Sequence, residues 1–549
     1  MPPFKTDYGS LSPHESVSEE DHNKAGAGLL PPRHKSTGLS LRGLLFSLFG
    51  GTLLLLIWLA YSSHVGGLHR HSVRPNSASD TSSSPEVERF YRHQLVDHFG
   101  GDTQETYAQR YFEDASFFQG PGHPIFVIVG GEGPIEQILY PWVSRELAKS
   151  FGALTVCVEH RFYGVSQPVD PAVATNADFH NLLHPRQALA DAARFIQHLQ
   201  KWWGCGPRGS PDYCPVITIG GSYPGFLSVL MRTVHSDVVD IGWGSSAPMY
   251  LYSHAVDDNA YFDKITSVAE AYSPGCPNAV RETLTDLQTM LSESDKTLEE
   301  EANALGVCTE TIPDYIDNFD ILQQEIIMII AEHFAENNMS FYPPGPKTQL
   351  LQGCKIFQQH DLTPHEKVSA FLRMRKGFEK CFDLVSELPL GPAATISASD
   401  WSGVGGGHLG MIWDYQTCTL IPECSLSPES MFPPRKWTLE WLTDHCQRRF
   451  DYTPHLQDMV KEFGFDDFTQ DSYIIFTNGY NDGWYALSVT ENVTDTVLAF
   501  NFPNGAHHSD LTHFVTPDEN TPDIVEGHKQ VTALIKTWLA DMKEHEADV

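Results

Sequence analysis

Positive charge is what this 549-residue sequence has least of. Its 36 Lys and Arg stand against 70 Asp and Glu, a formal net charge of −34 at pH 7. A deficit of that size argues against nucleic acid or an anionic membrane surface as the main partner. It is common in secreted proteins and suits a mildly acidic working pH. No internal repeat is evident. A metal-ligand pattern is missing too: His507, His508 and His513 lie close together, yet no second ligand cluster of recognisable spacing accompanies them. No metal and no cofactor are therefore expected. One run without a charged side chain, Gly43 to Ser63, stands out for its length and its apolar centre.

What is present describes a globular chain with a substantial core, 41% hydrophobic and 11% aromatic. Its length allows several domains or one heavily inserted domain. Residues 1–42 are rich in Pro, Ser and Gly and show no apolar periodicity, so they read as a disordered cytosolic tail. Residues 43–63, centred on Leu53 to Leu59, would span roughly 30 Å as a helix, the thickness of a bilayer core. Arg33, Lys35 and Arg42 precede them, which places the N-terminus in the cytosol and makes the segment a single-pass, type II signal anchor. A cleaved signal peptide is the competitor, with Ala60-Tyr61-Ser62 a passable cleavage site. Residues 64–88, with Ser82-Ser83-Ser84-Pro85, read as a flexible stalk.

Either option sends the rest of the chain into the secretory lumen or outside the cell. Nine of the ten cysteines lie outside the expected central strands and suit disulfides in that compartment, although sequence alone does not pair them. Cys157, inside Leu154 to Val158, reads instead as a buried small hydrophobe. Asn338-Met339-Ser340 and Asn492-Val493-Thr494 are sequons, so Asn338 and Asn492 are candidate glycosylation sites.

From about Phe90 the pattern is that of an α/β protein. Short continuous apolar runs, Ile125 to Val129, Thr155 to Glu159, Val216 to Ile219 and Val238 to Trp243, alternate with helical spacings such as Ala188, Leu189, Ala192, Phe195 and Leu199. Runs of that kind indicate a mostly parallel sheet covered on both faces. Between 253 and 434 strand signals nearly vanish, long amphipathic stretches dominate, and six cysteines occur. The strand pattern resumes with Tyr473 to Thr477 and Thr496 to Phe500, and a last helix is expected over His528 to Met542. Residues 89–252 and 435–549 therefore read as two parts of one core, interrupted by a helical, disulfide-braced cap over 253–434.

The stretch Ile219-Gly220-Gly221-Ser222-Tyr223-Pro224-Gly225-Phe226 runs from a buried strand through a sharp turn into a helix, with one hydroxyl at the corner. That is the plan of a nucleophile elbow, and equally that of an ordinary junction with serine as N-cap. Serine is a poor nucleophile unless an imidazole takes its proton and a carboxylate fixes that imidazole. Two loops at strand ends supply both: Asn481-Asp482-Gly483-Trp484 and Gly505-Ala506-His507-His508. Serine, acid, histidine is the chain order of the α/β-hydrolase fold. Asp482-Gly483 could also be a plain turn, and chemistry alone does not choose between His507 and His508. The Tyr223 amide and an amide of the Gly130-Gly131-Glu132-Gly133 loop are the candidate oxyanion donors, with Gly131 the chosen second. Gly405 to Gly410 fits a dinucleotide motif literally, but no strand precedes it.

Several separate motifs, in order, resemble the prolyl-specific serine peptidases of family S28. They are Gln94-Leu-Val-Asp-His-Phe99, Gln109-Arg-Tyr111, Gly130-Gly-Glu-Gly133, Glu159-His-Arg-Phe-Tyr-Gly164, Gly220-Gly-Ser-Tyr223, Ser245-Ser-Ala-Pro248 and Gly505-Ala-His-His508. The resemblance runs from about Phe90 to the C-terminus. It implies an α/β-hydrolase core with a helical, disulfide-containing cap, Ser222 as nucleophile, Asp482 as acid and His507 as base. It also implies cleavage of proline-containing peptides near a terminus and a proline pocket lined by Phe226 and Trp484, with Trp413 and Tyr415 weaker candidates. Pro224 replaces the family's commoner glycine, and Asn481-Asp482-Gly483-Trp484 stands where Leu-Asp-Pro-Trp is usual. An apparent membrane anchor is outside the usual family plan. Carboxypeptidase and dipeptidyl-peptidase modes both remain open, and oligomeric state does too, a homodimer being one option. An esterase or lipase with the same triad, and a non-catalytic membrane-tethered binding module, are the rival readings.

Overall fold

The computed structural model describes residues 86–547 apart from 385–406 and shorter stretches at 101–103, 171–173, 313–315, 376–379, 420–425, 435–441, 513–518 and within 444–456. The expected tail, anchor and nearly all of the stalk lie outside the described residues, as do Gly405 and Gly406. Among the described residues, no helix is long and apolar enough to cross a membrane.

Eight strands form one sheet: β1 (Val87–Leu95), β2 (Thr106–Asp114), β3 (Ile125–Val129), β4 (Leu154–Val158), β5 (Val216–Gly221), β6 (Ile241–Ser245), β7 (Ile474–Gly479) and β8 (Val497–Phe502). Their order across the sheet is β1-β2-β4-β3-β5-β6-β7-β8. β2 runs antiparallel to both β1 and β4, and every other pairing is parallel. This mixed sheet, helix-covered on both faces, is the α/β-hydrolase fold that the family resemblance implied, and the strand pattern had indicated its α/β architecture.

The strands are apolar without interruption because both faces are covered. Successive side chains of β3 go to opposite sides. Ile125, Val127 and Val129 join a core with Leu189, Phe226 and Leu230, while Phe126 and Ile128 join one with Trp142, Ile535 and Trp538. Burying each such side chain is worth about 1.5–3 kcal/mol. The first core is closed by α1 (Pro185–Trp202) and α2 (Tyr223–Val234).

Between β6 and β7 the principal described elements are helical, as the missing strand signals implied. Those that matter here are α3 (Ala260–Tyr272), α4 (Cys276–Ser292), α5 (Phe319–Met339), α6 (Gln349–Phe357), α7 (Pro364–Leu372) and α8 (Gly407–Thr419). Disulfides Cys276–Cys354 and Cys308–Cys381 brace this cap, Cys418–Cys446 ties α8 to a later segment, and Cys205–Cys214 joins the end of α1 to the approach to β5. Cys157 is a free, buried thiol of β4, pushed up to about 12 by burial. The last helix, α9 (Pro522–Ala547), is longer than its apolar pattern suggested.

Candidate active site

β5 ends at Gly221, and Ser222 takes φ 64° and ψ −135° before α2 begins. Positive φ is costly for a residue with a side chain, by about 1–3 kcal/mol, and such strain persists only where the surroundings enforce it. Here they do. The Ser222 amide donates to the Ser245 carbonyl at 2.8 Å, and the Phe226 amide donates to the Ser222 carbonyl at 3.1 Å. A Cβ on Gly220 would stand 2.2 Å from the Pro224 carbonyl oxygen, so only glycine lets strand and helix approach this closely. The Gly221 amide donates to the Tyr140 hydroxyl at 3.0 Å, an anchor with no signal in the sequence pattern.

The oxyanion candidates flank this corner. Tyr223 is the first residue of α2, so its amide has no carbonyl within the helix to receive it. A Cβ on Gly131 would lie 2.4 Å from Pro224 Cγ, which seats the glycine loop directly on the first turn of α2. Pro224 is tolerated there because the first turn of a helix needs no donor.

That loop is held from below by Glu159, whose fully buried carboxylate accepts from the amides of Ile135, Val165 and Ser166, the Ser166 hydroxyl and the Arg110 guanidinium. Arg161, also fully buried, donates to both oxygens of Asp191 and to the carbonyls of Leu95, Val96 and Leu182. The Glu159 to Gly164 motif is thus scaffold. His160 continues it toward the elbow: its Nε2 is 3.1 Å from the Tyr223 hydroxyl, which accepts from Gln416 of α8 at 3.0 Å. Burial holds His160 down at about 4, so the ring is neutral.

The acid and the base meet. Asp482 Oδ2 lies 2.7 Å from His507 Nδ1, and its Oδ1 accepts from the Trp484 amide at 3.1 Å. Asp482 is fully buried and caps the short helix Gly483–Leu487, so the Asp-Gly turn and the acid are the same feature. The carboxylate also separates the two histidines. His508 turns away, its ring packed where a Cβ on Gly221 would be and edge-on to Tyr140 at 5.8 Å. Burial and the neighbouring His507 hold His508 well below the ordinary histidine range.

This histidine loop adjoins the elbow: the His508 amide donates to Ser246 Oγ at 3.1 Å, one residue from the carbonyl that fixes Ser222. Ser222 Oγ itself has no hydrogen-bond partner among the described residues. Glu132 of the glycine loop has its carboxyl raised by desolvation, with its own backbone amide and His507 pulling the other way.

Two sequence assignments need correction. Phe226 is wholly buried, edge-on to Tyr252 at 4.9 Å and Phe465 at 5.0 Å, so it is a core aromatic and presents no surface to a substrate pocket. Asn338 is wholly buried as well. Its amide donates to the Asn481 carbonyl and its oxygen accepts from the Gly483 amide, each at 2.8 Å, leaving no room for a glycan in the folded chain. Asn492 is exposed, with its oxygen receiving the Ala499 amide.

Trp484 stays near the dyad, 6.2 Å from the His507 ring and 4.5 Å from Tyr261, with its buried indole N–H unpartnered. Trp413 lies edge-on to Tyr223 at 5.4 Å, whereas Tyr415 packs in a satellite core against Phe450. Among the described residues, no group of three or more His, Cys, Asp or Glu side chains could hold a metal ion.

The chain is similar to several known proteins. Lysosomal Pro-X carboxypeptidase of Mus musculus is 28% identical over 450 residues, covering 80% of this chain and 87% of that protein. The Homo sapiens protein of the same name is 27% identical over 453 residues, covering 81% and 87%. Thymus-specific serine protease of Mus musculus is 25% identical over 477 residues, covering 83% and 88%. Among solved structures, a fungal esterase of Rhizomucor miehei aligns over 83% of this chain and 85% of its own, with a TM-score of 0.31 and 9% identity. The family described as serine carboxypeptidase S28 matches residues 94–531, and the chain belongs to that family.

Proposed function

We propose that the chain is a serine exopeptidase that hydrolyses peptide bonds next to proline near a peptide terminus. The observation that carries this reading is the Asp482–His507 hydrogen bond, formed between two strand-end loops beside a strained serine elbow. In this mechanism Ser222 Oγ attacks the carbonyl carbon of the scissile bond as His507 Nε2 takes its proton. Asp482 keeps the Nδ1 proton in place and stabilises the imidazolium. The oxyanion of the tetrahedral intermediate is received by the amides of Tyr223 and Gly131. His507 then returns the proton to the leaving amine, and water hydrolyses the acyl-enzyme by the same relay. Trp484 offers an indole beside the dyad for a pyrrolidine ring. Proline peptides as substrates follow from the names of the relatives together with this site.

The four disulfides among the described residues fit an oxidising compartment, and relatives named lysosomal fit a place in the secretory pathway. Residues 43–63 would tether the enzyme as a type II single-pass protein, with the catalytic unit on the luminal or extracellular side.

The test is a panel of proline-containing peptides with free and blocked ends, digested by wild type and Ser222→Ala. Cleavage of end-blocked peptides at internal bonds would overturn the exopeptidase assignment. Turnover of esters without peptides would favour a carboxylesterase. If Ser222 in folded wild type fails to react with an organophosphonate, a non-catalytic binding role remains.

A further inference from the structure

The Asn338 contact reaches further than a misread sequon. α5 ends at Met339, and its last turn abuts the loop that carries the acid. Asn338 grips that loop on both sides of Asp482, donating to the carbonyl of residue 481 and accepting from the amide of residue 483, each at 2.8 Å. One residue on, the Met339 carbonyl accepts from the His507 backbone amide at 3.3 Å. Carbonyls in the last turn of a helix have no partner within it, so this bond also satisfies a group that would otherwise be an orphan. A single helix end thus bonds to the backbone on either side of Asp482 and to that of His507, and it belongs to the cap rather than to the sheet.

We infer that Asn338 is a positioning residue for the general-base dyad, through which the cap sets the orientation of Asp482 toward His507. The inference rests on the triad proposed above. Physically, a carboxylate orients an imidazole only if its own backbone is fixed, and Asp482 sits at the start of a five-residue 3-10 helix that offers little rigidity of its own. Its other supports include the Asp482 amide on the Gly479 carbonyl at 3.1 Å, the Asn481 amide on the Gly505 carbonyl at 2.9 Å and the Asn481 side-chain amide on the Pro503 carbonyl at 3.3 Å, all made from the sheet side. Asn338 closes the opposite side. A buried side-chain amide with both ends committed is expensive to leave half-satisfied, which makes the grip specific for asparagine. The titratable groups that also face the dyad are Lys264 from α3, Glu132 from the glycine loop, and His508 and Asp510 from the base loop. All are unchanged in the variants below.

The test uses the full-length protein, produced through the secretory pathway of a glycosylating host, with Asn338→Ala, Asn338→Asp, Ser340→Ala and Ser222→Ala. Asn338→Ala is expected to lower kcat by about 10–100-fold, the scale of a small misplacement at a catalytic centre, with KM changed less than about twofold. Its weaker Asp–His pair should move the acid limb of kcat/KM to lower pH. Asn338→Asp keeps the acceptor for Gly483 but adds a negative charge near the imidazolium, so its acid limb should move up. It serves as the second variant if alanine does not fold. Ser340→Ala removes the sequon without touching the amide, and should leave mass and kcat at wild-type values. Wild-type kcat in both Asn338 variants, or an acid limb that does not move, overturns the inference while an inactive Ser222→Ala keeps the triad. A glycan lost on Ser340→Ala from active protein overturns it as well. Activity in Ser222→Ala would instead show that the triad reading has failed.

Discussion

Lys264 places an ammonium behind the acid turn, 3.6 Å from the centre of the Tyr480 ring and 4.9 Å from that of Tyr485, with no ion pair among the described residues. Burial lowers it to about 8, and the Asp482 carboxylate pulls the other way. Below pH 8 this cation opposes formation of the His507 imidazolium; above it the opposition fades. Lys264→Met should therefore shift the acid limb of kcat/KM to higher pH and erase any inflection near pH 8, as read from pH–rate profiles. A second prediction concerns the family departure at Pro224. Gly131→Ala would drive a methyl into the proline ring and displace a proposed oxyanion donor, costing about 100-fold in kcat. Pro224→Gly should restore part of that loss in the double variant, since it removes the atom the methyl meets. At this scale the sequence was informative about chemistry and silent about orientation. Serine, acid and histidine could be named from order and loop position, but His507 and His508 are equivalent until the carboxylate chooses one. Phe226 was placed at the proline pocket by the family resemblance, which carries no information on whether its side chain is turned into the core, where it lies. Asn338 was misread because a three-residue sequon carries no information on burial.

Elements with both faces covered were the most legible, because uninterrupted apolar runs leave little choice but a buried parallel strand. The β1–β2 pair was missed for the converse reason. Along Thr106 to Arg110 its residues alternate between buried and less buried, and β1 is largely exposed, so neither gives the continuous signal of a central strand. Its buried polar contacts, Gln94 to Gln109 at 2.7 Å and Tyr107 to Asp191 at 2.8 Å, look like surface residues in a composition plot. α5 was legible as a helix from its apolar spacing, yet its polar residues hold an unexpected titration. Glu332 is half-buried one turn before Glu336, and burial together with that neighbour lifts its carboxyl to about 8. In the unfolded chain the group ionises near 4.5, so between those values the unfolded state holds fewer protons and stability falls as pH rises. Glu332→Gln removes this cost. Its Tm should match wild type below pH 4, exceed it progressively through neutrality, and level off above about 8 in calorimetric scans.

Across the whole molecule, the sheet supplies strand ends for Ser222, Asp482 and His507, and the cap supplies contacts that close the arrangement from above. Gln416 of α8 reaches Tyr223, and the end of α5 reaches the acid turn. Stability of the cap should therefore be felt at the site. Two disulfides span long loops within it, Cys276–Cys354 with a separation of 78 and Cys308–Cys381 with 73, whereas Cys205–Cys214 in the core spans 9. Chain-entropy reasoning gives about 4.5 kcal/mol for each long loop and about 2.6 kcal/mol for the short one, so the cap bridges matter more. Cys276–Cys354 joins α4 to α6, both of which pack on α5. Replacing both of its cysteines with serine should lower Tm more than the same change at Cys205 and Cys214. It should also lower kcat at temperatures where the sheet is still folded, because the acid turn loses its support before β5 and β7 melt. Parallel measurement of peptidase rate and near-ultraviolet circular dichroism during heating checks this. Coincident loss of both signals in the Cys276/Cys354 variant would show that cap and sheet unfold as one unit, and that the cap does not govern the site separately.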